Sequence, residues 1–144
     1  MADQRGQVVI IYFGYTHCQD ECPATLAEFM QIIQKLGDQS QKVRFVLITV
    51  DPVQDTPQVI GAYTAQFDPA IIGLTGELPT LESVWQAYGV YREADTTSGA
   101  TAESVAHTTL IYGIDKQGKL RLTYPYNFGI NGMFQDIEHL INEK

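Results

Sequence analysis

The segment Val8–Phe13 constrains the fold most, because it reads VVIIYF, a continuous apolar run in which four of the six side chains are β-branched. Strict alternation of apolar and polar residues would indicate a strand with one solvent-exposed face. An unbroken apolar run is instead typical of a strand buried on both faces. Gly14 ends the run. A strand of this kind requires a sheet that is covered by helices on both sides.

Extended and helical patterns alternate along the rest of the chain in the order β-α-β-α-β-α-β-β-α. Strands separated by helices predict a parallel sheet, and the segment DKQG at 115–118 predicts a hairpin between the last two strands. This is an α/β thioredoxin-like architecture with one additional βα unit: a central, mostly parallel sheet, an antiparallel C-terminal hairpin, and helices on both faces. The predicted strands are Val8–Phe13, Val43–Val50, Ile71–Leu74, Thr109–Ile114 and Lys119–Tyr124. Four helices are predicted. The first has Pro23 in its first turn and stops at Gly37, and the third and fourth run at about Thr80–Tyr88 and from about Asn131. The second opens at Thr56-Pro57, and the residues predicted on its inner face are Val59, Ile60, Tyr63 and Phe67.

Length and charge narrow the function classes. The 144 residues predict a single domain spanning 1–144, and a formal net charge of −8 argues against nucleic acid as a partner. The longest apolar run, Val8–Tyr15, is far shorter than the ~20 residues that a membrane-spanning helix needs. The first six residues are polar and do not form a secretory signal. The chain is therefore either cytosolic or a part of a longer protein.

The two cysteines of the chain, Cys18 and Cys22, follow the first strand and open a helix. Side chains four residues apart lie on the same face of a helix, with Cβ atoms about 5–6 Å apart, slightly too far for an easy disulfide. A metal ion bound between the two sulfurs would not require the cysteines to approach as closely as a disulfide does. The start of a helix favours thiolates, which both attack disulfides and bind metals. The spacing alone leaves redox chemistry and metal binding open.

Four segments in order resemble the Sco/SenC family. Residues 12–23 read YFGYTHCQDECP, similar to the family signature FGYTxCxDxCP. Residues 49–52 (TVDP) followed by 55–57 (DTP) resemble its VDPxxDTP stretch, and FDP at 67–69 with IGLTG at 72–76 resembles FDPxxxGLTG. Residues 105–109 (VAHTT), leading into IDKQG at 114–118, resemble its histidine segment. Gln19 stands where the family usually has proline.

The resemblance implies one copper ion per chain, as Cu(I) or Cu(II), with Cys18, Cys22 and His107 as ligands. It implies a role in assembling the binuclear copper centre of cytochrome c oxidase, by copper delivery, by reduction of target cysteines through Cys18 and Cys22, or by both. The expected partners are the copper-centre subunit of the oxidase, other thioredoxin-like proteins and copper chaperones. Family members are normally tethered to a membrane outside the cytoplasm, so we expect a soluble part of a longer protein that lacks its N-terminal anchor.

The sequence also predicts roles for polar residues outside these ligands. We interpret His17 as a neighbour of the site or a contact to a partner, and His139 as exposed on the last helix. Asp51 and Asp55 follow a strand beside prolines, and we interpret them as turn-forming and helix-capping residues rather than site residues. The polar segment Glu93–Ala106 is predicted to be a mobile loop that metal binding orders.

Three alternatives share parts of this pattern. A metal-independent thiol–disulfide oxidoreductase would use Cys18 and Cys22 but not His107. A thiol peroxidase of related fold would carry threonine three residues before its reactive cysteine, where this chain has Tyr15. A binding module for an oxidase subunit would keep its partner after both cysteines were changed to serine. The donor types also suit zinc, and the resemblance is what selects copper.

Overall fold

The computed structural model describes residues 6–16, 21–89, 92–93, 106–107, 110–125 and 128–143. The strands are β1 (Val8–Gly14), β2 (Val43–Thr49), β3 (Ile71–Leu74), β4 (Arg92–Glu93), β5 (Ala106–His107), β6 (Leu110–Ile114) and β7 (Leu120–Pro125). The helices are α1 (Glu21–Leu36), α2 (Pro57–Ala65), α3 (Leu78–Ala87) and α4 (Ile130–Asn142), with a 3-10 turn at Gly37–Lys42.

The main sheet has five strands in the order β3-β2-β1-β6-β7. β1 lies at its centre and pairs in parallel with β2 from Val8↔Val43 to Gly14↔Thr49, and β2 pairs in parallel with β3. β6 runs antiparallel to β1, and β7 antiparallel to β6. The predicted α/β class, with a mostly parallel sheet and an antiparallel C-terminal hairpin, is confirmed.

Both faces of β1 are buried, as its continuous apolar sequence predicts. Val8, Ile10 and Tyr12 join one core cluster with side chains of α1, α2 and α4, whereas Val9, Ile11 and Phe13 join another with Leu81 and Trp85 of α3. Helices therefore cover both faces, three on one side and α3 on the other. Burying two faces of the central strand excludes water from its whole length, and this burial is the main source of the stability of the sheet.

The predicted end of α1 and the predicted start of α2 are confirmed, and in both cases particular residues explain the boundary. Gly37 has a φ of +60°, a conformation that glycine adopts without strain, and α1 ends just before it. Thr56 caps α2 by accepting a hydrogen bond from the Val59 N–H at 3.3 Å, and Pro57 occupies the first turn. The inward position predicted for Val59 is wrong: its side chain is 41% exposed, because the buried face of this short helix runs through Ile60 and Thr64.

The β6–β7 hairpin is held by a buried aspartate. The Asp115 carboxylate accepts hydrogen bonds from the backbone N–H groups of Gln117 and Lys119 and from Arg121. Gly118 supplies a φ of +85°. The predicted turn at 115–118 is confirmed, and its geometry depends on one carboxylate that accepts hydrogen bonds from three donor groups.

A small second sheet joins the two ends of the predicted loop Glu93–Ala106. β4 pairs antiparallel with β5, so that Glu93 lies opposite Ala106 and Arg92 opposite His107. The interior of that loop, 94–105, lies outside the described residues, and its predicted mobility stays a prediction. Within the described segments, none of the helices combines the length and the apolar character that membrane crossing requires.

Candidate metal centre

Cys22 follows the carboxyl end of the central strand. β1 ends at Gly14, and Cys22 is the second residue of α1, so the predicted position after a strand and at the start of a helix is confirmed for Cys22. Cys18 falls in 17–20, outside the described residues, and for Cys22 only the backbone is described. The first turn of α1 presents backbone N–H groups that have no partner within the helix, and such groups favour thiolate at a cysteine placed there.

The strand directions bring His107 to the same end of the sheet. β6 is antiparallel to β1, with Tyr12 opposite Ile111, so β6 starts where β1 finishes. His107 closes β5, three residues before Leu110 begins β6. The backbone positions of Cys22 and His107 therefore share the carboxyl end of β1, the place where open α/β sheets carry their sites.

A buried carboxylate ties the cysteine-bearing connection to the next strand. Asp55 is fully buried and accepts hydrogen bonds from the Thr16 N–H at 3.1 Å, from the Thr16 hydroxyl, and from the Thr49 hydroxyl at 2.7 Å. Thr16 lies two residues before Cys18 in sequence. Asp55 thus fixes the start of the segment that carries the first predicted ligand.

The capping interpretation of Asp55 is wrong, because Thr56 caps α2 and the Asp55 side chain turns to Thr16 and Thr49 instead. Sequence reasoning missed this role because 39 residues separate Asp55 from Thr16. The available signal was position: Asp55 follows a parallel strand at its carboxyl end. For Asp51, the turn is confirmed in the backbone, since its carbonyl accepts from the Asp55 N–H at 3.0 Å.

Thr49 links this connection to α3 on the other face of the sheet. Its hydroxyl accepts from the Asp51 N–H at 2.8 Å, and its carbonyl accepts from the indole N–H of Trp85 at 3.1 Å. Both Thr49 and Trp85 are buried. One residue at the end of β2 therefore connects the support of the cysteine segment with α3.

Three aromatic rings form an apolar support beside the same end of the sheet. The ring centroids of Phe13, Tyr88 and Tyr112 lie 5.5–5.6 Å apart in all three pairings, in tilted or edge-to-face arrangements. Burial raises the pKa of Tyr88 and of Tyr112, because a charged phenolate would lose hydration there. Phe13 is the penultimate residue of β1, so the cluster lies at the end of β1 from which the chain continues toward the cysteines.

The remaining histidines lie elsewhere. His139 on α4 is 74% exposed, as predicted, and lies 3.5 Å from Glu143, whereas His17 falls outside the described residues. Among the side chains that the structure describes, no three His, Cys, Asp or Glu residues are grouped closely enough to hold a metal ion. The predicted set of Cys18, Cys22 and His107 is not among those side chains, so it stays a prediction.

Comparison with known proteins adds independent information. A family model described as SCO1/SenC matches residues 1–142. The bovine mitochondrial "Protein SCO2 homolog" is 36% identical over 119 residues, which is 81% of this chain and 45% of the relative. The yeast mitochondrial "Protein SCO2" is 37% identical over 117 residues, 80% of this chain and 39% of the relative. The chain thus spans less than half the length of these two curated relatives.

Solved structures of similar fold include several with copper bound. ScoI of Bradyrhizobium japonicum with copper bound superposes with a TM-score of 0.86 at 31% identity, covering 96% of this chain and 88% of the other. ScoI of Arabidopsis thaliana with copper bound gives a TM-score of 0.87 at 30% identity, covering 99% and 89%. The similarity therefore extends over almost the whole chain, in sequence and in fold.

Proposed function

Because the chain belongs to the SCO1/SenC family, we propose that it binds one copper ion through Cys18, Cys22 and His107 for assembly of the binuclear copper centre of cytochrome c oxidase. The observation that carries the proposal is the convergence of the elements bearing Cys22 and His107 on one end of the sheet. Similar structures named as copper-bound support the choice of metal.

The three proposed donors suit copper chemically. Thiolates are soft ligands that select Cu(I), and imidazole binds copper in either oxidation state. Placement of Cys22 in the first turn of α1 favours the thiolate form that metal binding requires. Two cysteines and one histidine also form a known zinc set, so the metal itself has to be tested. In this role copper is the cargo of the protein and is handed on to the oxidase subunit.

The same cysteines support a second step of assembly, reduction of a disulfide in the target. One thiolate of the Cys18–Cys22 pair attacks a target sulfur and forms a mixed disulfide, and the other thiolate then releases the target. Two electrons pass to the target, which leaves as two thiols after taking up two protons. This protein is left with a Cys18–Cys22 disulfide. Asp55 would serve both steps by fixing the segment that begins at Thr16.

Anaerobic copper titration tests the proposal. The reduced protein receives Cu(II) in steps while the visible spectrum is recorded, and Cu(I) affinity is measured by competition with a chromophoric chelator. We expect one copper per chain and a strong thiolate-to-copper absorption. His107→Ala should weaken or abolish that absorption, and Cys22→Ser should abolish it. A parallel titration with Zn(II) establishes which metal the site prefers.

His139→Ala is the matched control, because His139 is exposed on α4 and belongs to no predicted ligand set. It should bind copper like the parent. Rapid oxidation to a Cys18–Cys22 disulfide with no stable copper species, unchanged by His107→Ala, would favour the metal-independent oxidoreductase. Equal losses in the His107 and His139 variants would contradict a specific role for His107.

We also propose that residues 1–144 fold as one thioredoxin-like domain that works outside the cytoplasm, in a membrane-anchored protein. The names of the bovine and yeast relatives place those proteins in mitochondria, which supports an organellar or equivalent compartment. A single unfolding transition, coincident by circular dichroism and by fluorescence of Trp85, is the expected sign of one domain. Reporter fusions in the native host test the location.

A further inference from the structure

Trp85 is the only tryptophan of the chain, and its side chain reaches the end of β2 from α3. It is 5% exposed and, with Leu81, forms the buried face of that helix. A buried indole needs an acceptor for its N–H group, because an unpaired donor would lose its hydration without compensation. Trp85 finds this acceptor in the backbone carbonyl of Thr49, at 3.1 Å. The indole is therefore both a core side chain and a polar contact to the end of a strand.

The peptide unit between Thr49 and Val50 is held from two sides. Its carbonyl oxygen accepts the indole N–H of Trp85, and its N–H group donates to the Gly14 carbonyl at 2.8 Å. Gly14 is the last residue of β1 and pairs with Thr49 across the sheet. Hydrogen bonds at the two ends of one peptide group polarise each other and strengthen together. Through this peptide, the indole acts on the residue from which the chain leaves β1.

A second route runs through the Thr49 side chain. Its hydroxyl donates to the Asp55 carboxylate at 2.7 Å, and that carboxylate accepts from the N–H group of Thr16 at 3.1 Å and from the Thr16 hydroxyl. Both Thr49 and Asp55 are fully buried, so water does not compete for these bonds. The two routes end at Gly14 and Thr16, and Thr16 lies two residues before Cys18 in sequence.

The helix that carries Trp85 is itself fixed against the same end of β1. Tyr88 follows Trp85 by three residues, a spacing that places both side chains on neighbouring parts of one helix face. The ring of Tyr88 packs against that of Phe13, with 5.6 Å between the centroids, and Phe13 precedes Gly14. Two aromatic side chains of α3 therefore contact the ends of β1 and β2, and the helix cannot shift relative to these strands without breaking both contacts.

We propose that Trp85 is a positioning residue for segment 14–16, and that through this segment it fixes the approach of the chain to Cys18. The indole N–H holds the Thr49–Val50 peptide. That peptide holds Gly14, and the Thr49 hydroxyl, through Asp55, holds Thr16. What the positioning serves, copper binding at Cys18, rests on the proposed function, whereas the hold on segment 14–16 does not depend on metal.

Replacing one atom of the indole tests this inference. Because the chain has a single tryptophan, biosynthetic incorporation of β-(3-benzothienyl)alanine exchanges the N–H group of Trp85 alone for sulfur and keeps the fused two-ring shape. 5-Fluorotryptophan, incorporated in the same way, keeps the N–H group and is the matched control. The readout is amide hydrogen exchange of the reduced, metal-free protein, resolved by NMR.

We expect the Thr16 and Val50 amides to exchange about three- to tenfold faster in the benzothienylalanine protein, as the loss of one hydrogen bond predicts. The amides of Ile10 and Ile11 in the middle of β1 should change less than about twofold, since opening of the strand end leaves the centre of the sheet paired. Thr49→Val, which removes the hydroxyl and keeps the carbonyl, should accelerate the Thr16 amide but not the Val50 amide. This difference separates the two routes. The 5-fluorotryptophan protein should match the parent.

Unchanged exchange of Thr16 and Val50 in the benzothienylalanine protein would overturn the inference. So would equal acceleration of these amides and those of Ile10 and Ile11, because a general loss of stability gives that result.

Cu(I) affinity, measured on the same samples by competition with a chromophoric chelator, tests what the positioning serves. The affinity should fall about threefold or more in the benzothienylalanine protein, because a less ordered segment has to be ordered on binding, and should keep the parent value with 5-fluorotryptophan. Faster exchange with an unchanged affinity would overturn the positioning of Cys18. Failure of every sample, the parent included, to bind copper would remove the proposed function, and the exchange rates would still decide whether Trp85 holds segment 14–16.

Discussion

Replacing Asp55 should disturb the cysteine-bearing connection more than any other single change in the described polar network. The carboxylate is fully buried and receives three hydrogen bonds, two from Thr16 and one from Thr49. Asp55→Ala leaves these donors without their acceptor. Asp55→Asn keeps the shape of the side chain but places an NH₂ group where one carboxylate oxygen accepted a hydrogen bond.

The magnitude follows from those three bonds. A hydrogen bond to a charged acceptor contributes about 1.5–3 kcal/mol, which would give an upper sum of roughly 4.5–9 kcal/mol. Thr16 is only half-buried, so water replaces part of what its groups lose, and both hydroxyls can rotate. We therefore expect Asp55→Ala to lower the free energy of unfolding by about 3 kcal/mol and Asp55→Asn by about 1–2 kcal/mol. For a chain of this size, 3 kcal/mol corresponds to roughly 6–12 °C in Tm.

Urea unfolding of the reduced, metal-free protein measures these values, and copper affinity is measured on the same variants. Asp68→Asn is the matched control, because the Asp68 carboxylate accepts from the Ala70 N–H at 2.8 Å in an exposed turn near the start of β3. It should cost less than about 1 kcal/mol and leave copper affinity unchanged. Asp55→Asn should weaken copper binding as well as stability. Equal stability losses for Asp55→Asn and Asp68→Asn, or an unchanged copper affinity in Asp55→Asn, would refute the positioning role.

Three further predictions concern the fold. Gly61→Ala should stabilise the protein by about 0.5–1 kcal/mol, since nothing lies within 4 Å of the added Cβ in α2. Gly73→Ala should destabilise it by about 1–3 kcal/mol, because the added Cβ would lie 2.9 Å from the carbonyl oxygen of Ile60. The two variants should shift the midpoint of urea unfolding in opposite directions. Hydrogen bonds, first of all from the Lys119 N–H, lower the pKa of Asp115, so its contribution to stability is present above the ordinary Asp pKa of about 3.9 and is lost as the pH falls through the folded value. Asp115→Asn should flatten the acid limb of a plot of unfolding free energy against pH, and an unchanged slope would contradict this assignment. Phe29→Ala should cost about 3–5 kcal/mol in thermal or urea unfolding, because the ring is fully buried and packs 5.0 Å from Phe45; a loss below about 1 kcal/mol would show that the core collapses to fill the space.

Local sequence patterns predicted the five strands of the main sheet, the four helices and their order, although not the short strands β4 and β5. The unbroken apolar run of β1 required burial on both faces, Gly37 and Thr56-Pro57 marked helix ends through their own backbone preferences, and the 115–118 segment marked the hairpin. These signals are local, since each depends on residues within one turn or one strand. The motif order also pointed to the family and to Cys18, Cys22 and His107, whose roles stay predictions.

The packing of the elements against one another fixes which residues far apart in sequence meet. Asp55 was predicted to be a cap, but it holds Thr16 because parallel pairing of β1 with β2 brings the ends of both strands together. The burial of Thr49, its contact with Trp85 and the outward position of Val59 likewise depend on how elements pack. The same holds for an apolar groove that Leu74 of β3 and Val84 of α3 line. Such contacts join residues far apart in sequence, and neither local propensity nor periodicity encodes them.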